Sequence, residues 1–448
     1  MNTTERMHGG RRGGHLMRYG ALTLALGLGL TGCDSLLDVS NPNNVTQEAV
    51  VQPQAATAVV NGAAARSALA WAFVVRMATT VSDESTQTGS WDAARDMNNG
   101  NLTSPGNADN NEGFNTASVG RWMADEALRL VLIHEEEGTL ARRADLMDAY
   151  LYAGLSRLLV AEYFEDFVFS NRTEPGAPVG PANMVGVYDE ALEFFASMRA
   201  EAQAAGDNER VRQAVALTAR THYGKALWQK FQPRGSVPAD PLVNSAEANA
   251  AATEFFTLSP EPDWRFAHTY GSGSIQNTLA NWLNTRREIR PSDRHIIATE
   301  GFAVQEVVLR DPVTDIVDPA LSARIFENRD GVNWSPLPIT SAREMHLILA
   351  EAALAGGNTT GFETHINALR ALEPSLTPYT GQVAAQDLLI HSREVNLYMT
   401  GRRLADQYRF GITSPTWLAG SDAVNRPGSF FPIGEVERQT NCHFLGTC

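Results

Sequence analysis

Between residues 144 and 168, apolar side chains recur on two faces of one helical stretch. Met147, Leu151, Gly154, Leu158 and Ala161 follow at helical spacing, and Tyr152, Leu155, Leu159 and Tyr163 make a second stripe. A helix apolar on two faces must be covered on both, so it lies between other helices. Its neighbours in sequence supply the cover. Residues 188–204 place Tyr188, Leu192, Phe195 and Met198 on one side. After Gly206-Asp207-Asn208, residues 209–231 alternate small and large through Ala214, Leu217, Thr221, Gly224, Trp228 and Phe231, as interlocking helices require.

The same pattern extends outward. Residues 47–80, rich in Ala and Val, read as one long helix, and 120–137 as another, with Trp122, Ala127, Leu130 and Ile133 before the stop at Gly138. A late pair opens on a capping box, Ser341 and Glu344. It runs through Met345, Ile348, Leu349 and Ala352 to Gly356-Gly357, then through Phe362, Ile366 and Leu369 to Pro374. Residues 386–409 read as a further helix carrying Ile390, Leu397, Gly401, Leu404 and Tyr408; Arg402 and Arg403 are spaced to pair with Asp406 on one face. The expected fold is mostly α: a tetratricopeptide-like superhelix of helical hairpins, without the usual repeat consensus. The stretches 81–118, 232–340 and 411–448 are rich in Gly, Pro, Asn, Ser and Trp. They are expected as long irregular loops forming a ligand-binding side, with short strands such as 302–309. Strands alternating with helices, as in two-lobed importer-type binding proteins, are missing from the pattern.

Charge narrows the partners. The chain has 36 basic and 51 acidic residues, a net of −15, and its only lysines are Lys225 and Lys230. An acidic chain without a basic cluster argues against nucleic acid. No run of 18 apolar residues exists, so no spanning helix is expected.

The front end reads as an address. Arg6, Arg11, Arg12 and Arg18 precede the apolar run 21–30, and Leu30-Thr31-Gly32-Cys33 follows. This end is similar to a bacterial lipoprotein signal. The resemblance implies cleavage before Cys33, acyl chains on that cysteine, and a firm hold on a membrane. Residues 1–32 are then the signal peptide, 33–46 a lipidated tether and 47–448 the helical domain. Removing four Arg and one Glu from 36 and 51 leaves 32 and 50, so the mature chain carries −18. Cys442 and Cys448 either close a small disulfide loop or stand as separate thiols.

Spread along the chain are segments whose order resembles the SusD/RagB family of nutrient-uptake outer-membrane lipoproteins. They are the lipobox with Asn41-Pro42-Asn43; Val59-Val60-Asn61-Gly62-Ala63; Ser82-Asp83-Glu84; Arg343-Glu344-Met345 with 347–353; Ile366-Asn367 with Leu369-Arg370; Arg393 to Leu397 with Thr400 to Asp406; and Phe431-Pro432-Ile433. Thr400, Asn396 and Gly434 depart from the family's pattern. The resemblance implies a cell-surface lipoprotein that binds a nutrient, with an oligosaccharide expected, and delivers it to a SusC-like TonB-dependent outer-membrane barrel.

Glycan binding needs aromatic faces for the CH groups of a pyranose, and planar polar groups for its hydroxyls. The candidates are Trp91 with Arg95 and Asn98, Trp264, Tyr270, Trp282 with Asn281 and Asn284, and Trp334 with Asn333. Trp71, Trp122 and Trp228 are expected in the core. No metalloprotease, nucleophile-elbow, P-loop or dinucleotide motif is present, so no enzyme, cofactor or metal is expected. The other class of function open to a helical-repeat lipoprotein is an adaptor for protein assembly at the outer membrane. Long Trp- and Asn-rich loops favour ligand binding, because an adaptor has no need of them.

Overall fold

The computed structural model describes residues 47–171, 173–298 and 304–448; Cys33 and the signal and tether segments lie outside the described residues. The stretch 47–80 is not one helix. Gln47–Val50 is a single turn, α1, and Pro53–Ala55 is a 3-10 turn before α2, Ala56–Val81. Proline lacks an N–H, and its ring crowds the carbonyl four residues back, so Pro53 opens a turn and does not extend one.

From there the chain runs through β1 (Ser85–Gln87), α3 (Asp92–Asn98), α4 (Ala108–Glu136), α5 (Arg143–Tyr163), α6 (Val185–Ala205), α7 (Asn208–Lys230) and α8 (Ala246–Thr257). Next come β2 (Arg265–His268), α9 (Thr278–Asn281) with a π turn at Trp282–Arg286, β3 (Ile289–Pro291), β4 (Ile296–Ala298) and β5 (Val304–Val307). The last part holds α10 (Pro319–Asp330), β6 (Leu337–Ser341), α11 (Ala342–Ala355), α12 (Thr359–Arg370), α13 (Ala385–Asn396) and α14 (Arg403–Phe410). It closes on short turns α15 (Asp422–Asn425), α16 (Glu435–Thr440) and α17 (Cys442–Leu445).

The fold is mostly α and tetratricopeptide-like. Helices adjacent in sequence pack on one another: α4 on α5, α5 on α6, α6 on α7, α7 on α8, α11 on α12, with α2 laid against α4. The two apolar stripes of α5 are buried save for the half-buried Tyr152, and Phe195 of α6 presses on Gly154, where a Cβ would sit 2.5 Å from its ring. Among the described residues, Pro53–Val81 is long and apolar enough to cross a membrane by length and composition, with mean hydropathy 1.4 in its most apolar window. Half of that window is buried, and Trp71, Val74 and Met77 pack in the core, as in the central helix of a globular body. Trp228 is in the core as expected; Trp122 is only half-buried.

The expected loops hold more order than their composition suggested. Helix α4 starts at Ala108, a full three turns before residue 120, because the Asn107 side chain caps it, accepting the N–H groups of Asp109 (2.9 Å) and Asn110 (3.3 Å). The stretch 232–340 contains α8 and α10, each started by a side-chain cap, from Ser245 and Asp318. Among the described residues the strands form two-stranded antiparallel ribbons: β1 with β3, β2 with β6 and β4 with β5.

The expected helix 386–409 is two helices. Met399 and Gly401 have positive φ (54° and 83°), and a Cβ at Gly401 would strike the Tyr163 hydroxyl, so the chain must turn there. The turn redirects every charge. Arg402 does not pair with Asp406; it donates to Glu344 (3.0 Å), which is why the carboxylate of the predicted capping box is occupied elsewhere while Ser341 alone caps α11. Arg403 forks onto Asp83 (2.6 and 2.8 Å), and Asp406 instead accepts from Arg393 and Arg409. These groups are buried, so the charges stay paired to offset desolvation. Burial would raise the Glu394 pKa, but hydrogen bonds from His295 and Arg294 and the charge of Arg403 together hold it well below the carboxylate range. This network ties α13 and α14 to the end of α2 through Asp83 and Glu84.

Candidate functional site

A groove of about 640 Å³ opens where α2, α4 and the α9 turn meet. Helix α2 contributes Leu69 and Phe73, the first turns of α4 contribute Asp109 and Glu112, and the α9 segment contributes Gln276, Asn281, Trp282 and Arg286. Trp91 stands at its edge, 40% exposed, at the N-terminal boundary of α3.

The backbone around Trp91 is strapped in place. Gly89 N–H donates to the Glu288 carbonyl (3.2 Å), and Trp91 N–H to the Glu288 carboxylate (3.1 Å). The indole Nε1–H donates to Asp109 (3.0 Å). Asp109 is itself buried and accepts from Arg76 (2.5 Å). An exposed indole held at its polar edge keeps one orientation, which lowers the entropy lost when a ligand stacks on it.

Arg76 lies fully buried behind the lining residues Phe73, Asp109 and Trp282. Its Nε and Nη2 have no hydrogen-bond partner among the described residues, and its guanidinium covers the rings of Phe73 (4.5 Å) and Trp282 (4.1 Å). The Arg286 guanidinium also lies over Trp282, at 4.8 Å. Trp282 is thus buried and engaged by cations. It shapes the groove wall, whereas Trp91 offers the open aromatic surface.

The other candidates part company with the groove. Arg95 pairs with Asp92 at the surface (2.6 Å). Asn98 is buried and donates to the Thr80 carbonyl (3.1 Å), tying α3 to α2. Trp264 is 8% exposed, packs on Phe255 with ring centres 5.1 Å apart and donates to Glu209 (2.9 Å). Tyr270 donates to the Ala68 carbonyl (2.8 Å), and burial pushes its phenol well above the usual range. Trp334 is partly exposed on a loop pinned by Asn277 and Asn284 and does not line the groove. Sequence reading missed Phe73, Asp109, Glu112, Gln276 and Arg286. Only Asp109 left a signal: an acid in the first turn after Asn107, at a helix start hidden in an Asn-rich run.

Cys442 and Cys448 are joined in a disulfide, with Cα atoms 5.0 Å apart. Asp311, Asp318 and His391 bring donor atoms within 4.8 Å of one another. Both Asp311 oxygens take Arg370 (2.7 and 3.0 Å), and Asp318 caps α10 while its other oxygen accepts from His391 (2.9 Å), so the cluster reads as a structural joint. The groove presents one open aromatic face, Trp91, beside the polar side chains of Glu112, Gln276 and Asn281.

This fold is that of the SusD-superfamily proteins. A SusD homolog from Bacteroides thetaiotaomicron VPI-5482 aligns with TM-score 0.61 at 13% identity, over 89% of this chain and 98% of that one. A SusD superfamily protein from Bacteroides vulgatus ATCC 8482 aligns with TM-score 0.58 at 13% identity, over 88% and 98%. Surface glycan-binding protein A from Bacteroides uniformis aligns with TM-score 0.54 at 14% identity, also over 88% and 98%. No protein-family model matches the chain, and no curated protein matches it in sequence.

Proposed function

We propose that the groove beside Trp91 binds a glycan and that the chain is a binding lipoprotein of nutrient uptake, not an enzyme. The observation that carries this reading is the Trp91 platform: an exposed indole locked by Asp109, with Glu112, Gln276, Asn281 and Arg286 across the groove. A volume of about 640 Å³ suits a few sugar rings. The fold shared with SusD-superfamily proteins, one of them named a surface glycan-binding protein, supports the same reading. On this account Cys33 carries the lipid that holds the protein on the outer membrane, facing outward. A TonB-dependent barrel of SusC type receives the bound oligosaccharide. The test is calorimetry of the purified protein with oligosaccharides picked from a glycan array. Trp91→Ala should weaken binding by about 1–3 kcal/mol, by analogy with base stacking on aromatics. Unchanged affinity in a folded variant overturns the assignment.

A further inference from the structure

A second cavity, of about 500 Å³, lies apart from the Trp91 groove between the β2–β6 ribbon, α10 and the start of α11. Its charged lining sets four guanidinium groups, Arg265, Arg324, Arg343 and Arg402, against the carboxylates of Asp263, Glu327 and Glu344. Glu373 and Glu162 stand behind this lining, 2.9 Å from Arg343 and 3.9 Å from Arg402, so the local excess of cation is confined to Arg265 and Arg324.

The pairing inside this cavity is unequal. Glu327 is shared by two arginines: Arg265 forks onto it (3.0 and 2.6 Å), and Arg324 reaches the same carboxylate. Each guanidinium carries five N–H donors, more than one carboxylate can accept from both. Arg343 stands next along the wall, already matched by two carboxylates, Asp263 (2.7 and 3.0 Å) and Glu373 (2.9 Å), and by the Asn396 side chain (2.8 Å). Burial holds the Arg324 pKa below its ordinary value; Glu327 draws it back up, and the charges of Arg265 and Arg343 press it down again. The three guanidiniums therefore feel one another. The N-terminus of α11 also opens here, with Ser341 and Arg343 in the lining, and its dipole adds positive potential. Ala320, Ala323, Pro338, Ile339 and Leu397 give an apolar floor.

We infer that this cavity is a binding site for a small carboxylate-bearing ligand of disaccharide size, a uronate-containing sugar in chemical class, whose carboxylate pairs with Arg265 and Arg324. A planar carboxylate matches the guanidinium fork in two parallel hydrogen bonds. The apolar floor accepts the CH face of a ring. The ligand competes with Glu327 for the two arginines, so Glu327 sets the affinity as an internal rival.

The inference stands independently of the Trp91 groove, and its test keeps the two apart. Calorimetry would titrate the purified protein with digalacturonate and, in parallel, with the neutral digalactose. The wild type should bind digalacturonate and not digalactose at this site, and binding should weaken as salt rises from about 50 to about 300 mM. Arg265→Gln, at a half-exposed position that tolerates change, should weaken digalacturonate at least about tenfold. Glu327→Gln should tighten it, since it removes the rival and keeps the shape. Trp91→Ala should leave it unchanged. The proposal is overturned by any of three results: digalactose bound as tightly as digalacturonate, affinity unmoved by both Arg265→Gln and Glu327→Gln with folding verified by circular dichroism, or digalacturonate binding abolished by Trp91→Ala.

Discussion

Glu84 offers a stability measurement whose direction is worked from the structure. The side chain is buried at the end of α2. One carboxyl oxygen accepts the Met399 N–H at 2.6 Å, and the other lies 3.5 Å from the Thr79 and Ser82 hydroxyls. Burial dominates, raising the pKa from 4.5 to about 8, while the Met399 bond and the charge of Arg403 pull only partly back. The folded protein therefore keeps Glu84 protonated at neutral pH, whereas the unfolded chain ionises it near 4.5. The native state then binds the extra proton between these values, so this group's stabilising share is complete below about 4.5 and is lost as pH rises towards 8. A tenfold change in proton affinity corresponds to about 1.4 kcal/mol, so the loss across that window is on the order of 5 kcal/mol. Glu84→Gln imitates the protonated acid at every pH. Urea unfolding of both proteins from pH 5 to pH 8.5 should give a difference in stability that grows with pH, with the Gln variant ahead by a few kcal/mol at the alkaline end. A difference that stays flat, or grows in favour of the wild type, would mean that Glu84 is ionised in the fold and would refute the reasoning.

Arg403→Gln should cost about 3–5 kcal/mol in urea unfolding, because it leaves Asp83 buried without its fork; a loss under about 1 kcal/mol would show that the pair is dispensable. Trp264→Ala should lower stability by about 3–5 kcal/mol and leave glycan affinity unmoved, since the ring is packed on Phe255. Cys33→Ser in cells should move the protein from the membrane to the soluble fraction, as read by fractionation; continued membrane retention would remove the lipid anchor from the account.

What could be read in the sequence followed hydrophobic spacing. The double stripe from Met147 to Ala161 and its partners at 188–204 and 209–231 came out as adjacent helices within a few residues, because burial alone dictates their period. The helical content of 232–340 was hidden, since α8 is rich in small alanines and α10 mixes charge with apolar residues, so neither shows a clean face. The split of 386–409 was hidden for another reason: a helix-compatible spacing of charges says nothing about Gly401 needing positive φ under the Tyr163 hydroxyl. In the site, Trp91 and Trp282 were legible as aromatics in polar company. Their different roles were not, because the guanidiniums covering Trp282 come from Arg76, some two hundred residues away in sequence, as well as from nearby Arg286. Trp264 and Tyr270 looked the same on paper, yet tertiary packing buried the first and half-buried the second.

The central claim is that an indole at the rim of the α2–α4–α9 groove is where sugar meets protein. Intrinsic tryptophan fluorescence of the wild type and of Trp91→Phe, titrated with an oligosaccharide that binds, tests this most directly. The account predicts a saturable change in the wild type that is lost in Trp91→Phe, while that variant retains part of the affinity measured by calorimetry. An equal spectral change in both proteins would place the ligand at another tryptophan and contradict the account.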